Sequence, residues 1–487
     1  MNGILDQRRA GILLHISSLP GGDLGQDAYY FVNFLHDCGI TVWQTLPLGM
    51  THTDGSPYQC LSAHAGNPTF ISVERIISQG WLDKSELCET CRGTLAYKKN
   101  CLIDKAYFGF LDRATQQDRK EFARFCSEKA FWLDDFALFM ALRNLFNQQS
   151  WNQWPEPCKE RHPQTLEETR HRLKSQIECI KFEQYVFFRQ WLELKAYANE
   201  KGVLLFGDIP IFVSYDSADV WANRHVFKLD EIGEMSVVAG VPPDYFSATG
   251  QRWGNPHYNW SYLDKNAYSW WVQRMETQLE IFDILRIDHF RGLEAAWEIP
   301  ASEETAVNGY WVKAPGKALL EAIKMALGSI PLVAEDLGII TPDVEELRDD
   351  FNLPGMKILQ FAFGGNADNP YLPDHYVKNC VVYTGTHDND TTIGWLQKLS
   401  DHERKYIYDY LGSPSLSLHC ALIHAALASV ANLAIIPMQD ILELGSEHRM
   451  NTPGTTTGNW IWRFHWDQLT HERAARLGHL VGLFNRK

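Results

Sequence analysis

At 487 residues, 45% of them hydrophobic, the chain has ample material for a large buried core and exceeds a simple single-layer domain. Asp and Glu outnumber Lys and Arg by 60 to 45, and the resulting charge of −15 repels phosphate backbones and anionic lipid. No nucleic acid and no membrane partner is expected, whereas a neutral substrate meets no penalty.

The chain opens with Arg8-Arg9 ahead of an apolar stretch, faintly like a twin-arginine signal, but His15 and two serines interrupt it and no small-residue cleavage site follows. No apolar run approaches the roughly 18 residues of a membrane helix, so a cytoplasmic protein is expected. Eight short apolar runs then recur: Gly11–Ile16, Trp43–Leu48, Val203–Ile211, Ile284–His289, Leu332–Gly338, Lys357–Phe361, Val381–Asp388 and Leu433–Asp440. Such runs suit strands buried on both faces, as in a parallel sheet covered by helices. Eight of them with helices between fit an α/β fold, the (β/α)₈ TIM barrel. A doubly wound sheet is the alternative fold, but no GxGxxG follows any of the runs.

Residues 1–75 hold barrel strands 1–2 and residues 201–487 hold strands 3–8 with the active-site loops. Between them, residues 76–200 read as a mainly helical insertion, so that one catalytic domain is interrupted. Within it Trp132, Phe136, Phe139 and Met140 share one helical face, and Tyr185, Phe188 and Leu192 another. Trp151–Pro157 and Pro163 mark a turn. Cys88 and Cys91 make one CxxC, yet no second pair follows at zinc spacing, and the ten cysteines read as free thiols without a metal. The stretch Ser214–Trp260, rich in Gly, Pro, Asn and aromatics, is too long for an ordinary connection and reads as a lid loop after strand 3. Further on, Thr341-Pro342-Asp343 predicts an N-cap, a first-turn proline and a first-turn acid.

Acidic residues sit at the C-terminal ends of several runs, namely Asp208, Asp288, Glu335, Asp388 and Asp440, which is where barrel active sites are built. Arg286 and Asp288, two apart on a strand, share a face. A fixed Arg beside Asp288 lowers its pKa and suits it to nucleophilic attack; the same pair could equally tie strand to loop. The apolar neighbours of Glu335 should raise its pKa toward that of a general acid, while Asp336 alternates to the opposite side. His289 could donate a hydrogen bond to a sugar hydroxyl. His387-Asp388 with Asn389-Asp390 forms the most polar strand end, able either to grip a sugar or to make a turn. Carboxylates in opposed protonation states are the kit for glycosidic cleavage through an oxocarbenium-like transition state. HExxH, an EF-hand loop and GxSxG are all missing from the sequence.

The stretches LRIDHFRG (Leu285–Gly292), LVAEDLG (Leu332–Gly338) and YTGTHDN (Tyr383–Asn389) resemble the three catalytic regions of the α-amylase clan. GVPPDYFSATGQRWGNPHY (Gly240–Tyr258) is narrower in distribution and resembles the amylomaltases, or disproportionating enzymes, which are 4-α-glucanotransferases. SPYQ (Ser56–Gln59), AGNP (Ala65–Pro68), NPYLP (Asn369–Pro373) and RMNTPGTTTGNWIWR (Arg449–Arg463) resemble the same family, from Gly11 to the C-terminus outside the helical insertion. The resemblance implies Asp288 as nucleophile, Glu335 as general acid/base and Asp388 as transition-state stabiliser. It places Arg286, His289 and His387 at the cleavage subsite, Asp208 as the first-region acid, Tyr58 as a ring that stacks on the sugar, and Gln251 and Trp253 over the acceptor side. The Asn-His pair that plain α-amylases carry after the first-region Asp is replaced here by Ile209-Pro210-Ile211-Phe212.

The implied partners are α-1,4-glucans and maltooligosaccharides, with glucose as acceptor; the implied cofactors are none, and no oligomeric state follows. The apolar residues Pro242, Pro243, Tyr245, Phe246 and Trp253 would form a lid excluding water from the covalent intermediate. Of three rivals, an α-glucan hydrolase with the same acids is separated by a product assay, the intact Asp288, Glu335 and Asp388 argue against a non-catalytic glucan-binding protein, and an unrelated barrel such as an aldolase would want a strand-end Lys, in which none of the eight runs ends.

Overall fold

The computed structural model describes residues 3–87, 95–244 and 247–487, with backbone alone for 95–98 and 100. Eight strands appear in the order read from the sequence: β1 (Arg9–Leu13), β2 (Val42–Gln44), β3 (Leu204–Pro210), β4 (Ile284–Asp288), β5 (Leu332–Ala334), β6 (Gly355–Ile358), β7 (Cys380–Tyr383) and β8 (Leu433–Pro437). All pair in parallel, in the order β6-β7-β8-β1-β2-β3-β4-β5. The ring closes between β5 and β6, where Ala334 N–H donates to Pro354 C=O at 2.9 Å and Met356 N–H to the Asp336 carboxylate at 2.7 Å. Nearly every strand residue is buried, as helix-covered parallel strands require.

The strands end earlier than their apolar runs. β2 stops at Gln44, β5 at Ala334 and β7 at Tyr383, leaving Glu335, His387 and Asp388 on the loops just beyond. The cause after β7 is local polar bonding: Thr386 N–H and hydroxyl both donate to Asn389 Oδ1, at 2.8 and 2.9 Å, which turns the chain away from the sheet.

Between β2 and β3 lie seven α-helices among the described residues, from Val73–Ser78 to the 27-residue Lys174–Glu200. That last helix is bound to the barrel wall: Trp191 Nε1 donates to Ile281 C=O at 2.7 Å, and Lys195 to Glu280 and Phe282 carbonyls. The helix Ala130–Leu145 buries Leu133 and Leu138 as well as the predicted Trp132 face, because other helices cover it on several sides. Thr341 does occupy the N-cap of the helix Pro342–Asp350, but its side chain makes no capping bond. Cys88 and Cys91 lie outside the described residues, and no described helix is long and apolar enough to cross a membrane.

The stretch after β3 is more ordered than its composition suggests. Val237–Val241 and Gln251–Arg252 pair with each other, and Val237–Val241 pairs with Ala295–Pro300, which in turn pairs with Tyr310–Lys313. A four-stranded antiparallel sheet thus joins the loops that follow β3 and β4 into one wall. Tyr245 and Phe246, named for the lid, lie outside the described residues.

Candidate active site

The adjacency of β3 and β4 sets the floor of the site, with Asp208 opposite Arg286 and Pro210 opposite Asp288. Arg286 Nη1 donates to both Asp208 oxygens, at 2.8 and 2.6 Å, and its Nη2 lies 2.7 Å from Asp288 Oδ1. Period-two alternation makes this possible, since one side chain on β4 reaches both its own-strand neighbour and the next strand. Burial disfavours the Arg286 charge, but the two carboxylates outweigh that and raise its pKa well above the usual value. The Tyr58 hydroxyl donates at 2.7 Å to Asp208 Oδ2, the oxygen nearer Arg286, and the Asp208 side chain is wholly buried.

Asp288 differs from its neighbour in keeping 31% of its side chain open to solvent. Burial raises the Asp288 carboxyl, and Arg286 opposes that rise without cancelling it. This corrects the expectation of a lowered pKa: burial outweighs the guanidinium, and Asp208, bound to the same Arg286, adds to the rise. An open carboxylate oxygen on a fixed cation is still what attack on an electrophilic carbon needs.

Glu335 follows β5 directly and is gripped by the turn after β4. His289 N–H donates to Glu335 Oε2 at 2.7 Å and Leu337 N–H to Oε1 at 3.0 Å. His289 adopts a left-handed backbone with φ 56°, unusual outside glycine and of a kind that clusters at functional sites. Burial pushes Glu335 up to about 7; Arg286 and the two backbone donors pull it down, while Asp288 adds to the rise. Asp336 points the other way, to Arg348 at 2.6 Å and Met356 N–H at 2.7 Å, as alternation predicted.

On the far side, the Tyr58 ring stacks on His387 with centroids 5.1 Å apart and planes 18° apart. His387 Nε2 lies 3.4 Å from Asp388 Oδ1. The Asp388 side chain is 48% exposed, placing its carboxylate at the mouth of the cleft. Asn451 Nδ2 donates to Asp388 Oδ1 at 2.6 Å, Arg449 Nη2 to the Asp388 carbonyl at 2.9 Å, and Asn451 N–H to the His387 carbonyl at 3.1 Å. These two residues were not singled out by sequence; they lie in a recognisable stretch, but 61 or more positions from their partner.

Over the site, the Trp253 ring meets His289 edge-to-face at 4.9 Å, and Trp253 Nε1 donates to the exposed Gln251 side chain at 3.1 Å. Burial lowers His289 to about 3, so it is a neutral ring, and its buried Nε2 has no protein partner. Asp440, grouped by sequence with the strand-end acids, is structural. It accepts from the Thr384 hydroxyl at 2.6 Å and from Thr392 N–H and hydroxyl at 2.8 and 2.6 Å. Among the described residues, two groups could share a metal ion, His419–Cys420–Glu443 and Asp104–Cys179–Glu183; neither includes any of the three acids of the cleft.

A carboxylate on a guanidinium, a second carboxyl poised near neutral pH and a third at the mouth can together open and remake an acetal bond. Residues 14–470 match the family described as 4-alpha-glucanotransferase. The chain belongs to that family. It is 48% identical to the 4-alpha-glucanotransferase of Synechocystis sp., over 99% of each chain. It is also 48% identical to that of Thermus thermophilus, covering 96% of this chain and 97% of the other. In structure it resembles amylomaltase from Streptococcus agalactiae in complex with acarbose, with a TM-score of 0.95 and 37% identity over 99% of this chain and 100% of that one.

Proposed function

We propose that the chain is a retaining 4-α-glucanotransferase in which Asp288 is the nucleophile, Glu335 the general acid/base and Asp388 the transition-state stabiliser. The observation that carries this reading is the pairing of an Arg286-bound Asp288 with a Glu335 that burial raises to about 7 and that the very next backbone N–H holds in place. Glu335 gives its proton to the bridging oxygen of an α-1,4-glucan as Asp288 attacks the anomeric carbon. The shortened glucan leaves with that proton. Glu335, now a carboxylate, takes the proton of a 4-hydroxyl on an incoming maltooligosaccharide or glucose, and the new glycosidic bond replaces the ester to Asp288 with net retention.

Tyr58, Arg286, His289 and His387 line the subsite of the sugar that is cleaved, buried Asp208 holds Arg286 and Tyr58 there, and Gln251 and Trp253 cover the acceptor. Neutral His289, with a free buried Nε2, suits donation to a sugar hydroxyl. The work is done by carboxylates and hydrogen bonds in the cytoplasm, with no cofactor, and residues 76–200 form an insertion subdomain on the barrel. Incubation with maltotriose alone tests the reading. A ladder of longer glucans with free glucose is the expected product; maltose and glucose alone would make the chain a hydrolase.

A further inference from the structure

The helix Lys174–Glu200 turns two glutamines, Gln184 and Gln190, fully into the interior. Each makes the same two-point contact with one backbone residue. Gln184 Oε1 accepts from Gly66 N–H at 2.8 Å and its Nε2 donates to Gly66 C=O at 3.0 Å. Gln190 repeats this with Ser72, at 2.8 and 3.0 Å. A primary amide that offers one acceptor and one donor to a single residue copies a neighbouring β-strand.

Gly66 ends the loop that carries Tyr58. It bridges antiparallel to Gly49, as Thr51 does to Cys60, and Asn67 N–H donates to Leu48 C=O and Leu61 N–H to Met50 C=O, each at 2.8 Å. The loop borders a small cavity of about 50 Å³, with Tyr58, Cys60, Gly66, Phe187 and Asp208 in its lining. At the end of this loop Gly66 is fixed by Gln184 and by the Phe187 ring, against which a Cβ on Gly66 would fall at 2.0 Å.

We propose that Gln184 is a positioning residue for glucan transfer: through Gly66 it sets the height of the loop that presents Tyr58 to the sugar. The proposal rests on the placement of Tyr58 at the cleavage subsite. Gln190 is the internal control, with the same chemistry and burial. Its partner Ser72 lies beyond the turn Pro68–Phe70, at the start of the helix Val73–Ser78, outside the Tyr58 loop.

Gln184→Met and Gln190→Met each keep side-chain volume while losing both hydrogen bonds, and should lower the melting temperature comparably. On maltotriose, well below melting, Gln184→Met should lower kcat/KM roughly tenfold and Gln190→Met by no more than about twofold. In a Tyr58→Ala background the Gln184→Met loss should shrink to about twofold, because the ring it positions is gone. Equal losses from the two glutamines, no loss from Gln184→Met, or a loss undiminished by Tyr58→Ala would each overturn the proposal. A Tyr58→Ala enzyme as active as the unaltered one would instead overturn the placement of Tyr58. If Gln184→Met does not fold, Gln184→Glu retains the acceptor for Gly66 N–H, and it must show the same Tyr58-dependent loss for the proposal to stand.

Discussion

The backbone N–H of His289 donates to Glu335 Oε2 at 2.7 Å, so the residue after Asp288 holds the carboxyl that Asp288 works against. One left-handed turn therefore sets the position of both acids, and a substitution that straightens it moves both together. The register of β4 and β5 reinforces the link, since Glu335 N–H donates to Ile287 C=O and Phe290 N–H to Glu335 C=O, each at 3.1 Å.

Asp288→Asn should lose more than about a thousandfold in turnover, near 4 kcal/mol, because an amide cannot form the ester intermediate. The fold should survive, because Arg286 Nη1 keeps its bonds to both Asp208 oxygens. Turnover and melting are measured on the same preparation; a well-folded variant with near-normal turnover removes Asp288 from the nucleophile role.

The raised Glu335 carboxyl keeps its proton below about pH 7 and loses it above. Bond cleavage needs the protonated form, so kcat/KM on maltotriose should fall as pH rises through about 7. Glucosyl fluoride needs no acid to leave. With it, Glu335→Gln should accumulate a covalent adduct visible by mass spectrometry, and azide, which needs no base, should restore turnover. No adduct and no azide effect would take the acid/base role from Glu335.

Trp253→Ala should open a water path beside His289 and remove a stacking surface for the acceptor. One stacked ring, at about 1–2 kcal/mol, predicts roughly a tenfold drop in transfer over hydrolysis. The ratio is read from glucose release against total reducing ends, with melting followed in parallel. A lower melting temperature with an unaltered ratio leaves Trp253 as packing alone.

Asn451→Asp places a second carboxylate 2.6 Å from Asp388 Oδ1, where an amide donor now stands. Losing that bond and gaining repulsion should cost about 2–3 kcal/mol in the transition state, or roughly 30- to 150-fold in kcat. Asn451→Ala, which removes only the donor, should lose less. The reverse order of the two variants would show that Asn451 acts on something other than Asp388.

The barrel was legible because its strands are buried on both faces, and runs such as Leu433–Ile436 have no other use. The acids were legible because they stand where those runs stop. What escaped reading depends on contacts between distant segments. Nothing near Val237–Val241 announces that it pairs with Ala295–Pro300, because an isolated edge has no periodic mark of its partner. Asn451 escaped because an amide in a Gly- and Thr-rich loop reads as turn chemistry until Asp388 is seen beside it. Gln184 on a helix reads as a solvent-facing polar residue until Gly66 is found against it. The sign of the Asp288 shift was missed for a related reason: the spacing shows Arg286 but neither the burial that outweighs it nor Asp208 on the neighbouring strand, which adds to the rise.

Between β5 and β6 the ring is closed without strand pairing. No ladder joins those two staves; one backbone bond from Ala334 and one borrowed carboxylate from Asp336 span the seam, and Glu335 sits between these ties. Local opening is cheapest where backbone bonds are fewest, so the proton donor rides on the part of the ring most easily sprung. Warming should therefore silence the enzyme before it melts, and cooling should restore activity without refolding the rest.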